Sequence, residues 1–153
     1  MYIAIVVLTM LILPLASIAI EHGVDPDIAV AALVGRWFVF WSVGVRLGLA
    51  GLRQIFQPAF TAREIFHAES DEVLPLVREL GIANSAAGTV ALLSLWNASL
   101  VLPSAIYAGV FYGAAGVIHV VGRDRSRNET IAMASDLFIA AVLAILVVSV
   151  LWR

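Results

Sequence analysis

An all-α bundle of five membrane-spanning helices, with its N-terminus inside and its C-terminus outside, is the fold this chain predicts, and three observations carry it. Hydrophobic residues make up 62% of the 153-residue sequence and charged residues 13%, with a mean hydropathy of +1.01, far more apolar than a soluble domain. Apolar stretches run from Tyr2 to Ile20, Ile28 to Leu52, Leu74 to Trp96, Leu100 to Val121 and Ile131 to Trp152. Each comes near the roughly 20 residues needed to cross about 30 Å of hydrocarbon. Finally, the positive charge is lopsided: loops two and four hold Arg53, Arg63, Arg123, Arg125 and Arg127, whereas loop one holds Glu21, Asp25 and Asp27 and loop three holds no arginine. By the positive-inside rule this fixes the orientation of one membrane domain covering residues 1–153.

The first span offers the small residues Ser17 and Ala19 before a cleavage-like point but lacks a basic leading segment, so it is expected to be a retained helix ending near Gly23. Asp25-Pro26-Asp27 combines an N-cap residue, a proline and a first-turn acid, which predicts that the second helix starts there. Running to Gln57 before Pro58, it is too long for an upright span and is expected to tilt, protrude or kink at Gly44, Gly48 or Gly51. Thr61 and Glu64 have capping-box spacing and Phe60 and Ile65 hydrophobic-staple spacing, predicting a short helix, Ala62 to His67, along the inner membrane surface. Asp71 or Leu74 caps the third spanning helix, Ser99 the fourth, and Asn128 with Glu129 opens the fifth. Small residues recur at packing spacings, Gly44 with Gly48, Gly81 with Ser85 and Gly109 with Gly113, and signal close helix contacts.

Within this bundle the charges fall into two layers. Arg46 and Arg53, Glu72 and Glu79, and Glu129 and Asp136 each lie seven residues apart on one helix. That is almost two turns, so each pair shares a face with one member about 10 Å deeper. Arg53, Glu72 and Glu129 are expected at the inner interface, screened by water and salt. Arg46, Glu79 and Asp136 form the deeper layer, where one cation facing two carboxylates leaves a surplus negative charge. A proton on Glu79 or Asp136, a further cation, a polar ligand or His119 would complete the balance, and Asn84 could donate amide hydrogens from deeper still. The plainer reading ties three helices together through Arg46, with one acid as partner and the other in a wet cleft. Arg36, in the outer half, has Glu21, Ser94 and Tyr107 as candidate neighbours, and Trp37, Trp41, Trp96 and Trp152 include positions suited to lipid anchoring.

Other chemistry has little support. Cysteine is absent, which excludes disulfides, thiolate metal sites and CxxC redox chemistry. His22, His67 and His119 are spread over depths and sides, arguing against a bis-histidine haem. The sequons at Asn97 and Asn128 hug the membrane or face inward. No phosphate loop, zinc motif, nucleophile elbow or nucleic-acid patch is present, so no catalytic residue, metal or cofactor is expected.

The segment Glu79-Leu80-Gly81-Ile82-Ala83-Asn84 with Gly88, the run Gly113-Ala114-Ala115-Gly116 followed by His119, and Asn128 with Asp136 eight residues on resemble a family of small integral-membrane proteins of unknown function from bacteria and fungi. Arg36, Gly51 and the stretch from Pro58 to Ala62 extend the likeness over most of the chain beyond the first helix. The resemblance implies that Glu79, Asn84, His119, Asn128 and Asp136 belong to a shared pattern, and it supplies no activity. A more distant similarity links the chain to DoxX-like four-helix membrane proteins, some of them tied to quinone-coupled redox work.

Three functions compete on this sequence. The first is a non-catalytic structural or accessory subunit of the cell membrane, the bacterial inner membrane, held by a buried Arg–carboxylate cluster. The second is a proton, cation or polar small-molecule binding or transport protein using Arg46, Glu79, Asn84, His119 and Asp136. The third is a quinone- or haem-associated redox protein. The lipid bilayer is the common partner, and the glycine spacings allow a homo-oligomer or a larger membrane complex.

Overall fold

In the computed structural model, which describes residues 2–121 and 126–152, the chain is helical throughout, with six helices and no strand among the described residues. Arg123 and Arg125, used above to orient the bundle, lie outside the described residues. Helix α1 spans Tyr2–Val24, α2 Val30–Phe56, α3 Pro58–Glu64, α4 Leu74–Leu93, α5 Val101–Val121 and α6 Arg127–Leu151. Helices α1, α2, α5 with its preceding turn, and α6 are long and apolar enough to cross a membrane. The third expected span corresponds to α4, which is 20 residues long but more polar and stands outside that set of four.

Several boundaries differ from the sequence reading, each for a local reason. The second helix does not begin at Asp25: the Asp25 carboxylate accepts the Asp27 N–H at 3.3 Å, making a turn that competes with helix, and α2 starts at Val30. The short helix begins at Pro58 rather than Ala62, because proline suits a first helical position and leaves no N–H to be satisfied. It ends by Glu64, so the Thr61–Glu64 spacing caps nothing. Ser70 and Asn97 cap the 3₁₀ turns that lead into α4 and α5. Ser126, rather than Asn128, caps α6 by accepting the Glu129 N–H at 3.1 Å.

The expected irregularity in α2 is a π-helical stretch, Val39–Val45, that contains Gly44, and α1 carries a second one, Leu8–Ile12. The two stretches pack against each other. A π turn disturbs the regular backbone ladder, and in an apolar surrounding each displaced carbonyl needs a new donor. Side-chain hydroxyls supply them: Ser42 Oγ donates to Thr9 O at 3.3 Å, and the buried Tyr112 hydroxyl of α5 donates to Ser42 O at 2.7 Å. Three helices are thereby tied at mid-bundle.

Packing proceeds in pairs, with α5 along α6, the second half of α2 along α4, and α1 against the first half of α2. A continuous core of Val6, Met10, Phe38, Val43, Tyr112, Ile139 and Leu143 joins α1, α2, α5 and α6. The α2–α4 seam relies on glycine instead: a Cβ at Gly51 would lie 2.6 Å from Gly81 O, and one at Gly88 would lie 2.8 Å from Gly48 Cα. Asn84 and Gln54 hydrogen-bond across this seam at 2.9 Å. Outward faces are rich in Val, Ile and Leu, such as Val110, Ile118 and Ile145, which suits lipid contact.

Close backbone approach predicts a sharp contrast between neighbouring glycines. Gly51→Ala is expected to lower stability by about 1–3 kcal/mol through overpacking. Gly48→Ala, whose Cβ meets nothing within 4 Å, is expected to be neutral or stabilising by up to about 1 kcal/mol. Thermal unfolding of the detergent-purified variants measures both.

Candidate functional site

The N-terminus of α6 places Glu129 at the third helical position, three residues after the Ser126 cap. A carboxylate suits that place because it faces the positive end of the helix dipole. Glu129 is nevertheless only 7% exposed, so its charge needs partners. Two histidines supply them. His119, in the last turn of α5, brings Nδ1 within 3.1 Å of Glu129 Oε1, and His67, from the loop after α3, brings Nε2 within 2.9 Å of Glu129 Oε2. An ionised carboxylate only accepts, so each imidazole presents an N–H to it.

His67 has a positive φ of 52°, an unusual conformation for a non-glycine residue and one that costs on the order of 1 kcal/mol. The surrounding backbone holds it there: Phe66 N–H bonds Thr61 O at 3.0 Å, Ala68 N–H bonds Ala62 O at 2.8 Å, and Ser126 Oγ donates to Glu64 O at 3.2 Å. Strain of this kind persists where the neighbours over-determine it. His67 is about half exposed while His119 and Glu129 are nearly covered, so the cluster runs from the surface into the bundle.

Two turns further along α6 lies Asp136, half-buried and within electrostatic range of both His119 and Arg46. Arg46 donates from Nη2 to the Tyr2 hydroxyl at 3.2 Å, and its guanidinium lies 5.5 Å from the Tyr2 ring centroid. Its Nε is buried with no acceptor among the described residues. No direct ion pair joins Arg46 to Asp136 among the described residues. One cation and one acid thus lie in this region, with the buried Tyr112 hydroxyl bonded to Ser42 O within electrostatic range of both.

The sequence candidates therefore separate. Arg46, His119 and Asp136 occupy one end of the bundle. Asn84 belongs to the α2–α4 seam, bonded to Gln54, with its Oδ1 unpartnered among the described residues. Glu79 is exposed on the outward face of α4, which removes the surplus negative charge expected in the deep layer. In the shallower layer Arg53 stacks on the Phe60 ring at 3.4 Å and Glu72 is exposed, whereas Glu129 is covered by its neighbours at the edge of the bundle. At the opposite end Arg36 pairs with Glu21, which also accepts the Trp37 indole N–H.

Sequence reasoning missed His67. Its signal was the placement of two histidines and one acid near helix ends on a single side, and it was lost because His67 was assigned to a helix. Among the described residues no set of three His, Cys, Asp or Glu side chains is arranged to hold a metal. Two cavities, of about 250 and 290 Å³, lie elsewhere, one beside the α2–α4 seam and one between α2, α5 and α6 at the Arg36 end.

Removing the shared acceptor isolates the role of this cluster. Glu129→Leu is expected to lose about 2–3 kcal/mol, as for hydrogen bonds to a charged group, and to speed amide exchange over Ile65 to Ala68. Glu69→Gln, at an exposed site in the same loop, is expected to stay within about 0.5 kcal/mol of the parent. Thermal unfolding and hydrogen exchange measure the two effects.

No curated protein and no solved structure shows a significant match to this chain. Across residues 1–153 the sequence matches the model of a family of unknown function, DUF6790, and the chain belongs to that family.

Proposed function

We propose that this chain is a small multi-pass protein of the cell membrane that takes up and passes protons at its inner end, through His67, Glu129, His119 and Asp136. The observation that carries the reading is the buried Glu129 carboxylate held between two imidazoles, one of them open to solvent. Protonating either ring turns an imidazole–carboxylate hydrogen bond into an ion pair, so the cluster can gain a proton that matches the charge Glu129 already carries. Asp136, beside His119 and Arg46, is the next group inward that can hold one.

The topology belongs to the same proposal. The 20 residues of α4 span about 30 Å, enough to complete five crossings with the N-terminus inside. The cluster then faces the cytoplasm, and α3, which exposes Arg63 and Glu64, lies along the inner surface. In a bacterial cell this is the inner membrane.

A second reading, an accessory subunit without transport, is favoured by the hydroxyl ties among Thr9, Ser42 and Tyr112, which join three helices with no need of a ligand. Proton flux separates the two. Liposomes containing the protein and a trapped pH dye are expected to acidify after an external acid pulse. Glu129→Gln and Asp136→Asn should each slow this by about tenfold or more, in line with losing a proton-transfer group. Equal rates in the parent, both variants and empty liposomes would leave the accessory reading standing and remove the first.

A further inference from the structure

The outward face of α4 differs from that of every other long helix. Helix α4 turns Val77, Gly81, Asn84, Gly88 and Ala91 inward, and its opposite face carries Arg78 and Glu79 at about one turn's depth, both exposed. Neither makes an ion pair or hydrogen bond among the described residues. They cannot satisfy each other, because adjacent residues on a helix point about 100° apart. Lipid is a poor neighbour for two such charges.

From this geometry we infer that the exposed face of α4 is the interface with a second copy of this chain, the two copies related by a two-fold axis along the membrane normal. Successive positions at about 100° place Arg78, Ile82, Leu93 and Glu79 in that order across the exposed face, so that Ile82 and Leu93 lie between the two charges. Two parallel copies meeting on the line through Ile82 and Leu93 bring the Arg78 side of each against the Glu79 side of its partner at the same depth. The charges are thus self-complementary under the symmetry that membrane dimers adopt, as flanking charges are in parallel coiled coils. A hetero-partner would have to bring the same two charges in the reverse arrangement, whereas a second copy has them already.

The groove beside this face supports the same occupant. It is a cavity of about 250 Å³ between α2 and α4, lined by Gly44, Gly48, Gly88, Ser85 and Thr89 among others, and open to the outward face at Thr89. The Ser85 hydroxyl is buried there with no partner among the described residues. Gly48, with nothing within 4 Å of its Cβ position, leaves room there for another helix to approach closely, and the inference stands independently of proton transfer.

The chain holds no cysteine, which makes the test direct. In the full-length protein reconstituted in liposomes, Ile82→Cys is expected to form a disulfide-linked dimer under mild oxidation, and Val110→Cys on the outward face of α5 is not. Added to Ile82→Cys, Arg78→Glu or Glu79→Arg alone should lower the dimer yield by about tenfold, corresponding to about 1.4 kcal/mol. The double reversal Arg78→Glu with Glu79→Arg should restore it. Fluorescence energy transfer between labelled chains, diluted with lipid, should follow the same order. A monomer throughout, equal cross-linking at both cysteines, or failure of the double reversal to rescue would overturn the inference, the last pointing to lipid or a different protein on this face.

Discussion

The hydrogen-bonded polar groups at the inner end and the middle of this bundle answer to one constraint: where water is excluded, a charge or a backbone carbonyl must find its partner within the protein. Glu129 shows the constraint most sharply. Its carboxylate takes two imidazoles and its N–H takes the Ser126 hydroxyl, so three separate segments converge on one residue. The α3 loop, the end of α5 and the start of α6 are positioned by that convergence. The same rule acts on main-chain oxygens at the middle of the bundle, where hydroxyls of Ser42 and Tyr112 reach carbonyls in neighbouring π turns.

These demands sort the helices. Polar groups that serve the site lie on α1, the first two-thirds of α2, α5 and α6, around the shared apolar core, with His67 added from the loop after α3. Helix α4 stands apart, held by glycine contacts and the Asn84–Gln54 bond to the last part of α2. It is also the long helix that stands outside the set of four apolar enough to cross a membrane.

The number and order of the long helices were legible because apolar length is a strong signal and loops between spans must be polar. Boundaries were less so: Asp25 could serve as a helix cap or form a turn with Asp27, and the sequence does not reveal which backbone N–H it will reach. Arg46, His119 and Asp136 were recognisable as members of one region from depth alone. Glu79 was misplaced because depth says nothing about rotation, and one position along a helix turns a side chain by about 100°. Glu129 was taken as solvated because its two partners come from segments 62 and 10 residues away, a pairing that only the fold creates.

The π stretch in α2 has a consequence for how such a helix can be read. Inserting an extra residue into the turn puts the segments before and after it out of phase, by about one residue's rotation. A single rod thereby presents two seams: Leu33, Gly35 and Phe38 on the half that packs against α1, α5 and α6, then Leu47, Gly51 and Gln54 on the half that packs against α4. A uniform α-helical wheel drawn over Val30–Phe56 would mix the two faces, although each half is strongly patterned by itself. One residue's worth of slack is what allows a 27-residue helix to belong to the core and to the α4 seam at once.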